Sequence, residues 1–334
     1  MATGKESWHP EMVSARLPHL RRRARVLSAV RGFFAARGFD EVDTPCLQIS
    51  PGLEPHLIAF ATALRDPWGG GDLPLYLHTS PEFAMKKLLV AGMERIFQIA
   101  HVFRNAERSA THSPEFTLLE WYRAGGGLAD MMDDTEALVR ACAQAAEATE
   151  LRRGHLACDP FARWRRLSVA EAFAEYCGID VLATAPDPWA PDTALLAAEA
   201  ARIGVSVSAA DRWDDIFFKI VLDRIEPHLG HGVPTILHSY PLSMAALARP
   251  SPDDPRVADR FEAYACGVEL CNAFGELTDA DEQERRFAAD MDLKEALYGE
   301  RYPVDPGFIA ALRHGMPQAA GNALGLDRLI MLIC

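Results

Sequence analysis

No run in this 334-residue chain approaches the roughly 18 consecutive apolar residues that a membrane-spanning helix needs. Met1–Pro18 is polar and lacks an apolar core, so no secretory leader is expected. The seven cysteines are odd in number and make no Cys-x-x-Cys pair; they read as reduced thiols of a cytoplasmic protein. Positive charge is scarce. Lys and Arg total 34 against 47 Asp and Glu, a net of −13, which works against broad adhesion to nucleic acid or anionic lipid. Residues 67–74, Pro-Trp-Gly-Gly-Gly-Asp-Leu-Pro, are not followed by Gly-Lys-Ser/Thr, so they read as a loop rather than a phosphate cradle. No internal repeat or low-complexity tract is present. With 49% apolar and 24% charged residues, a globular enzyme or binding protein remains.

Residues 1–16 read as an N-terminal tail and residues 17–37 as an amphipathic helix. Leu20, Ala24, Leu27, Val30 and Phe34 recur at three- and four-residue steps, with Arg21, Arg22, Arg25 and Arg37 mostly off that stripe. Gly38 suits the position after the helix, and Phe39–Thr44 runs extended into Pro45. Residues 129–150 predict a helix, and about 150–235 reads as a helical insertion between two blocks of strands. Long helices among antiparallel-looking strands point to an α+β fold.

Three segments carry chemistry. Arg95–Phe103 and Glu115–Arg123 read as strands joined by the long polar loop Arg104–Pro114, and such a loop is uncommon without a job. A period of two puts Phe116, Leu118, Glu120 and Tyr122 on one face. A carboxylate and a phenol on an apolar face are costly unless they bind something or pair with an Arg on the next strand. In the second segment, Cys266-Gly267 as a two-residue turn pairs Tyr264 with Glu269 and Glu262 with Cys271. Glu262 and Glu269 then share a face; a divalent cation relieves their repulsion, the bland alternative being a solvated hairpin face. Strand parity puts Asn272 and Glu276 on the opposite face unless the chain bends near Ala273–Gly275. In the third, the small residues Gly321, Ala323 and Gly325 bare one strand face for something flat, and a helix then brings Arg328 close.

In this order, these segments resemble the three signature motifs of class II aminoacyl-tRNA synthetases, specifically the lysyl branch. Motif 1 resembles Arg21–Pro45, motif 2 resembles Phe103-Arg-Asn through His112-Ser-Pro-Glu-Phe-Thr-Leu-Leu-Glu-Trp-Tyr122, and motif 3 resembles Gly321–Arg328. Thr79–Phe83 and Glu269–Asp279 match the same branch. Motif 1 begins near residue 19, so no anticodon-binding OB domain is expected, and tRNA is a poor candidate partner. The free-standing elongation factor P (R)-β-lysine ligase family is the nearer likeness, through Phe103–Tyr122 and Pro255-Arg-Val-Ala-Asp-Arg-Phe-Glu262.

That resemblance implies the class II catalytic fold over residues 17–334, an antiparallel sheet flanked by helices, in a homodimer. It implies ATP-dependent activation of (R)-β-lysine as an adenylate, with Mg2+, and transfer to a lysine ε-amine of elongation factor P in the cytoplasm. Arg104 and Arg328 are the catalytic candidates. Asn105, Ala106, His112, Ser113, Phe116, Glu269, Leu270 and Gly325 complete the ATP site, with adenine between Phe116 and Arg328. Ser80, Pro81, Glu82, Glu120, Tyr122, Asn272, Phe274, Glu276 and Ala323 form the amino-acid site, and Glu262 and Glu269 hold the metal.

The chain departs from the family pattern at several positions. Ala106 stands where the family usually has a Glu, with Glu107 next to it; Ser113 replaces an Asn; Arg108 is the nearest substitute for a loop Arg expected at Ala110 or Thr111. An α-lysine-activating ligase, a free-standing lysyl-tRNA synthetase-like enzyme and an inactive amino-acid sensor are the alternatives.

Overall fold

Three aromatic side chains fasten the first helix to the sheet: Phe34 and Phe97 stack with centroids 4.6 Å apart, and Trp121 lies 5.5 Å from Phe34. The computed structural model describes residues 8–245 and 247–334. Helix α1 spans Pro10–Ala35 and is followed by β1 (Asp40–Glu41), β2 (Leu47–Gln48), β3 (Phe60–Leu64), β4 (Leu73–Leu77) and α2 (Glu82–Val90). β5 (Arg95–Phe103) and β6 (Glu115–Ala124) form the hairpin with the long loop, and α3 (Leu128–Ala145) follows. β7 (Leu151–Arg153), β8 (Leu156–Cys158) and β9 (Arg165–Ser168) precede α4 (Val169–Cys177), α5 (Thr193–Arg202) and α6 (Trp213–Ile220). β10 (Thr235–His238), β11 (Arg260–Ala265), β12 (Val268–Gly275), α7 (Ala280–Tyr298), α8 (Pro306–Gly315), β13 (Ala319–Gly325) and α9 (Leu326–Ile333) complete the chain.

Eight strands make one sheet in the order β1-β5-β6-β13-β12-β11-β10-β9. The six central strands pair antiparallel, as expected; β1 with β5 and β9 with β10 pair parallel, so the sheet is mixed at both edges. The period of two sorts the faces. Leu119, Trp121, Ala320 and Leu324 point into the core with α1, α3 and α9. Phe116, Leu118, Glu120 and Ala323 point the other way, into a cavity.

Several expectations shift. The segment expected as a tail up to residue 16 is helical from Pro10, which takes the first helical position where its missing N–H costs nothing; residues 1–7 lie outside the described residues. The buried seam of α1 is Val26, Val30, Phe33 and Phe34, while Leu20 and Ala24 are exposed. α3 ends five residues earlier than the helix expected to residue 150. The stretch 150–235 opens on three short strands, one of them the sheet edge β9, before its helices pack around Phe173, Trp213 and Phe217.

Candidate active site

The β5–β6 hairpin has the register its alternation requires: Arg95 faces Arg123 and Phe103 faces Glu115. Beside it, β13 pairs Ala323 with Glu120 and β12 pairs Asn272 with Ala323, so Glu120, Ala323 and Asn272 form one row across three strands. The turn between β11 and β12 has positive φ at Cys266 (53°) and Gly267 (64°), as a two-residue hairpin turn demands.

Beyond that turn the register differs from the simple alternation. Tyr264 pairs with Glu269 as expected, but Ala263 pairs with Cys271 and Glu262 with Asn272, because one residue, Leu270, is bulged out. The bulge resets strand parity. Glu269, Leu270, Asn272 and Phe274 therefore all line the cavity, and no bend near Ala273–Gly275 is needed to bring Asn272 to the side of Glu269.

The cavity has a volume of about 490 Å3. Of the expected site residues, Ser80, Glu82, Arg104, His112, Ser113, Phe116, Glu120, Glu262, Glu269, Leu270, Asn272, Phe274, Ala323, Gly325 and Arg328 line it. Five do not. Asn105 and Ala106 are exposed at the start of the loop, where Asn105 N–H bonds the carbonyl of Ile58 and Ala106 has φ 65°. Pro81 is buried at the start of α2, turning Glu82 into the cavity. Tyr122 and Glu276 sit behind the wall: the Tyr122 hydroxyl donates to Glu120 at 3.0 Å, and Glu276 pairs with Lys86 at 2.5 Å. Gly321 does not bare a face for a ligand; a Cβ there would lie 2.3 Å from the Tyr122 ring and 2.5 Å from Glu276. Glu107 lines the cavity, whereas Arg108 is exposed away from it.

The two ends of the cavity differ in make-up: arginines stand beside carboxylates at one, and acids gather at the other. At one end, the Arg104 guanidinium lies over the Phe116 ring at 5.2 Å, and its buried Nε has no hydrogen-bond partner. No carboxylate forms an ion pair with Arg104 among the described residues. Arg328 donates to the Glu269 carbonyl at 2.9 Å and to His112 Nε2 at 2.8 Å. Partial burial and the nearby Arg328 charge hold His112 below its usual pKa, so the ring is neutral and able to accept that bond. Glu262 is held by Arg260 at 2.5 Å and by the hydroxyls of Tyr240 and Tyr264, each at 2.6 Å. Removal from bulk water, and then the charge of Glu262, push Glu269 up to about 7. Such a pair of hard oxygen donors suits a divalent cation whose remaining ligands are phosphates and water.

At the other end the groups are acidic. Glu120 is buried, accepts the Ser80 hydroxyl at 2.5 Å, and is pushed up to about 8 by burial and by the charge of Glu82. No Arg pairs with it across the strands; Gln98 is its partner on β5. A second cavity of about 600 Å3 shares Ser80, Glu82, Asn272 and Phe274 with the first and reaches Trp189 and Trp213.

Sequence reasoning misses Lys86, Glu54, Arg260 and Phe218. Lys86 stands four residues after Glu82 on α2, which is the one local signal that the two interact. Arg260 lies within the Pro255–Glu262 block, where no pattern gives it a role; the structure places it against Glu262, Asn272 and the Tyr240 ring.

Comparisons with known proteins show the family. The profile for tRNA synthetases class II (D, K and N) matches residues 12–334. A protein of Sodalis glossinidius (strain morsitans), named Elongation factor P--(R)-beta-lysine ligase, is 39% identical over 328 residues, covering 98% of this chain and 93% of that protein. Proteins of the same name from Yersinia enterocolitica and Salmonella arizonae are 39% and 38% identical over the same 98% and 93%. An eight-stranded, centrally antiparallel sheet with an arginine-rich and an acid-rich end to one cavity is thus accompanied by full-length sequence similarity, and the chain belongs to the class II tRNA synthetases of the D, K and N group.

Proposed function

We propose that this chain uses ATP to activate (R)-β-lysine as an acyl-adenylate and transfers the acyl group to a lysine ε-amine of elongation factor P. The observation that carries this reading is the polarity of the cavity: a guanidinium without a carboxylate partner at one end, and closely spaced buried acids at the other. ATP, with its phosphates, fits the first end. A substrate with two ammonium groups fits the second. The names of the three relatives supply the substrate and the acceptor.

In this reading, Arg104 grips the α-phosphate, since its fork of donors matches phosphate oxygens. Adenine lies on Phe116, with Arg328 moving off His112 to cover the other face. Glu82 and Glu120 hold the ammonium groups, so that the substrate carboxylate points to the α-phosphorus. Its oxygen attacks that phosphorus, pyrophosphate leaves, and the acceptor amine then attacks the acyl carbon and displaces AMP. Catalysis is mostly alignment and charge neutralisation. Glu262 and Glu269 would hold a Mg2+, which would offset phosphate charge. The second cavity meets the amino-acid end at Glu82 and Asn272, and so offers the acceptor side chain a route to the acyl carbon.

The first half of α1 supports a homodimer. Residues 10–21 are exposed, and among them Met12, Val13, Leu17 and Leu20 leave apolar surface for a second copy. Seven cysteines without a disulfide suit the cytoplasm. ATP–pyrophosphate exchange with a panel of amino acids, followed by mass spectrometry of elongation factor P, tests the whole reading. Exchange dependent on (R)-β-lysine and a lysyl-modified acceptor support it; exchange with no amino acid overturns it.

A further inference from the structure

The acidic end of the cavity contains a positive charge of its own. Lys86 of α2 is 1% exposed, and its ammonium ion-pairs with both Glu82 and Glu276. The Glu276 contact is 2.5 Å, and that side chain is also only 1% exposed. Glu82 and Glu120 line the cavity; Lys86 and Glu276 lie behind them. Other acids nearby stand outside this group: Glu262 is bonded to Arg260, and Glu54 is exposed to solvent.

Three carboxylates, Glu82, Glu120 and Glu276, against one ammonium, Lys86, leave the chamber two negative charges in excess. That excess is what full ionisation would give, and the chamber resists it: burial together with the charge of Glu82 pushes Glu120 up to about 8 and Glu276 up to about 7, so protons are held there until a cation displaces them. Buried charges are strongly unfavourable unless each is matched. A substrate with two ammonium groups brings the count to zero. One with a single ammonium leaves a carboxylate unmatched.

We infer that Lys86 is a specificity-determining residue, fixing the charge of the amino-acid chamber at the value that a diamino acid neutralises. The inference rests on reading this cavity as a diamino-acid site. Removing Lys86 leaves one carboxylate too many. Removing the charge of Glu276 leaves Lys86 to neutralise Glu82, which is then lost to the substrate. Removing both deletes one charge of each sign and restores the match.

The test is titration calorimetry of the full chain with lysine against norleucine, and (R)-β-lysine against 3-aminohexanoic acid. It uses the unaltered protein, Lys86→Met, Glu276→Gln and the double variant, with ATP binding measured in each. The unaltered protein is expected to bind the diamino acids at least 100-fold tighter than their monoamino analogues. Each single variant loses at least tenfold for diamino acids with ATP affinity unchanged, and the double returns to within threefold of the unaltered protein. If Lys86→Met alone does not fold, Glu276→Gln against the double carries the same comparison. A double no tighter than the weaker single, a parallel loss of ATP binding, or equal binding of norleucine and lysine overturns the inference. Binding is read without turnover, so this binding pattern without adenylate formation sinks the activation reading and leaves the role of Lys86 standing.

Discussion

Arg23 and Asp327, 304 positions apart, form an ion pair that ties α1 to the start of α9. The same guanidinium donates to the Thr117 hydroxyl at 2.7 Å, and the other Asp327 oxygen accepts the Thr117 N–H at 2.8 Å. Thr117 follows Phe116 and Asp327 precedes Arg328, so this clamp fixes the spacing of the two residues proposed to sandwich adenine. Both partners are partly exposed, so the ion pair itself contributes only about 0–1 kcal/mol. We expect Arg23→Met to raise the KM for ATP about fivefold, equivalent to about 1 kcal/mol, and to leave the amino-acid KM unchanged. An equal rise in both would make Arg23 a general support of the fold.

Alternation and turn chemistry make the central hairpins readable in the sequence. Phe116, Leu118, Glu120 and Tyr122 share a face because nothing interrupts β6. The β11–β12 turn is legible in Cys266-Gly267, but the bulge at Leu270 is not, since an extra residue in a strand changes neither composition nor period of its flanks. Lys86, Arg260 and Glu54 are hidden for a different reason. Their roles arise from residues distant in sequence: Lys86 meets Glu276 across 190 positions, and no local pattern encodes that meeting.

Arg104→Ala is expected to abolish adenylate formation with little change in stability. The guanidinium makes no ion pair among the described residues, and its Nε is without a partner, so the empty fold loses almost nothing. Pyrophosphate exchange and thermal denaturation, measured together, check this. A variant that unfolds early while its folded fraction stays active would make Arg104 structural.

The two proposed metal carboxylates should separate under the same conservative change. Both Glu262→Gln and Glu269→Gln are expected to raise the Mg2+ concentration needed for half-maximal activation. Only Glu262→Gln should also cost stability, about 1–3 kcal/mol, because it weakens the bonds from Arg260, Tyr240 and Tyr264. Glu269 carries no such network; its contact with Arg328 is 3.4 Å. Unchanged Mg2+ titrations in both variants would remove these residues from the metal site.

The raised carboxyls of the amino-acid chamber give a pH dependence of definite sign. Glu120 titrates at about 8 when folded against an ordinary 4.5, so through that window the folded state keeps a proton that the unfolded chain has released. Stability is full below the unfolded value and falls as pH rises to the folded one, by about 1.4 kcal/mol per unit for each such group. The empty protein should therefore melt at lower temperature at about pH 8 than at about pH 5, and lysine should flatten the slope by supplying the missing positive charge. Glu120→Gln should flatten it too. A slope unaltered in that variant would place the titration elsewhere.

Ala323 decides how close a substrate can come to β13. Its methyl group sits in the row between Glu120 and Asn272, half-buried on the cavity wall. In the lysyl-tRNA synthetases that the chain resembles, the matching position is a Gly. A β-amino acid carries its ammonium one carbon further from the carboxylate, so with both groups anchored its backbone must pivot relative to that of an α-amino acid. In the proposed site the Ala323 methyl would crowd an α-ammonium and leave room for the β-isomer. One methyl contact in a pocket is worth roughly 1–3 kcal/mol, or about 10–200-fold in discrimination. Ala323→Gly should thus raise kcat/KM for α-lysine relative to (R)-β-lysine by a factor in that range. The unaltered enzyme should prefer (R)-β-lysine. Equal or better kcat/KM for α-lysine before any substitution would defeat the steric argument, and would make α-lysine the natural substrate of this cavity.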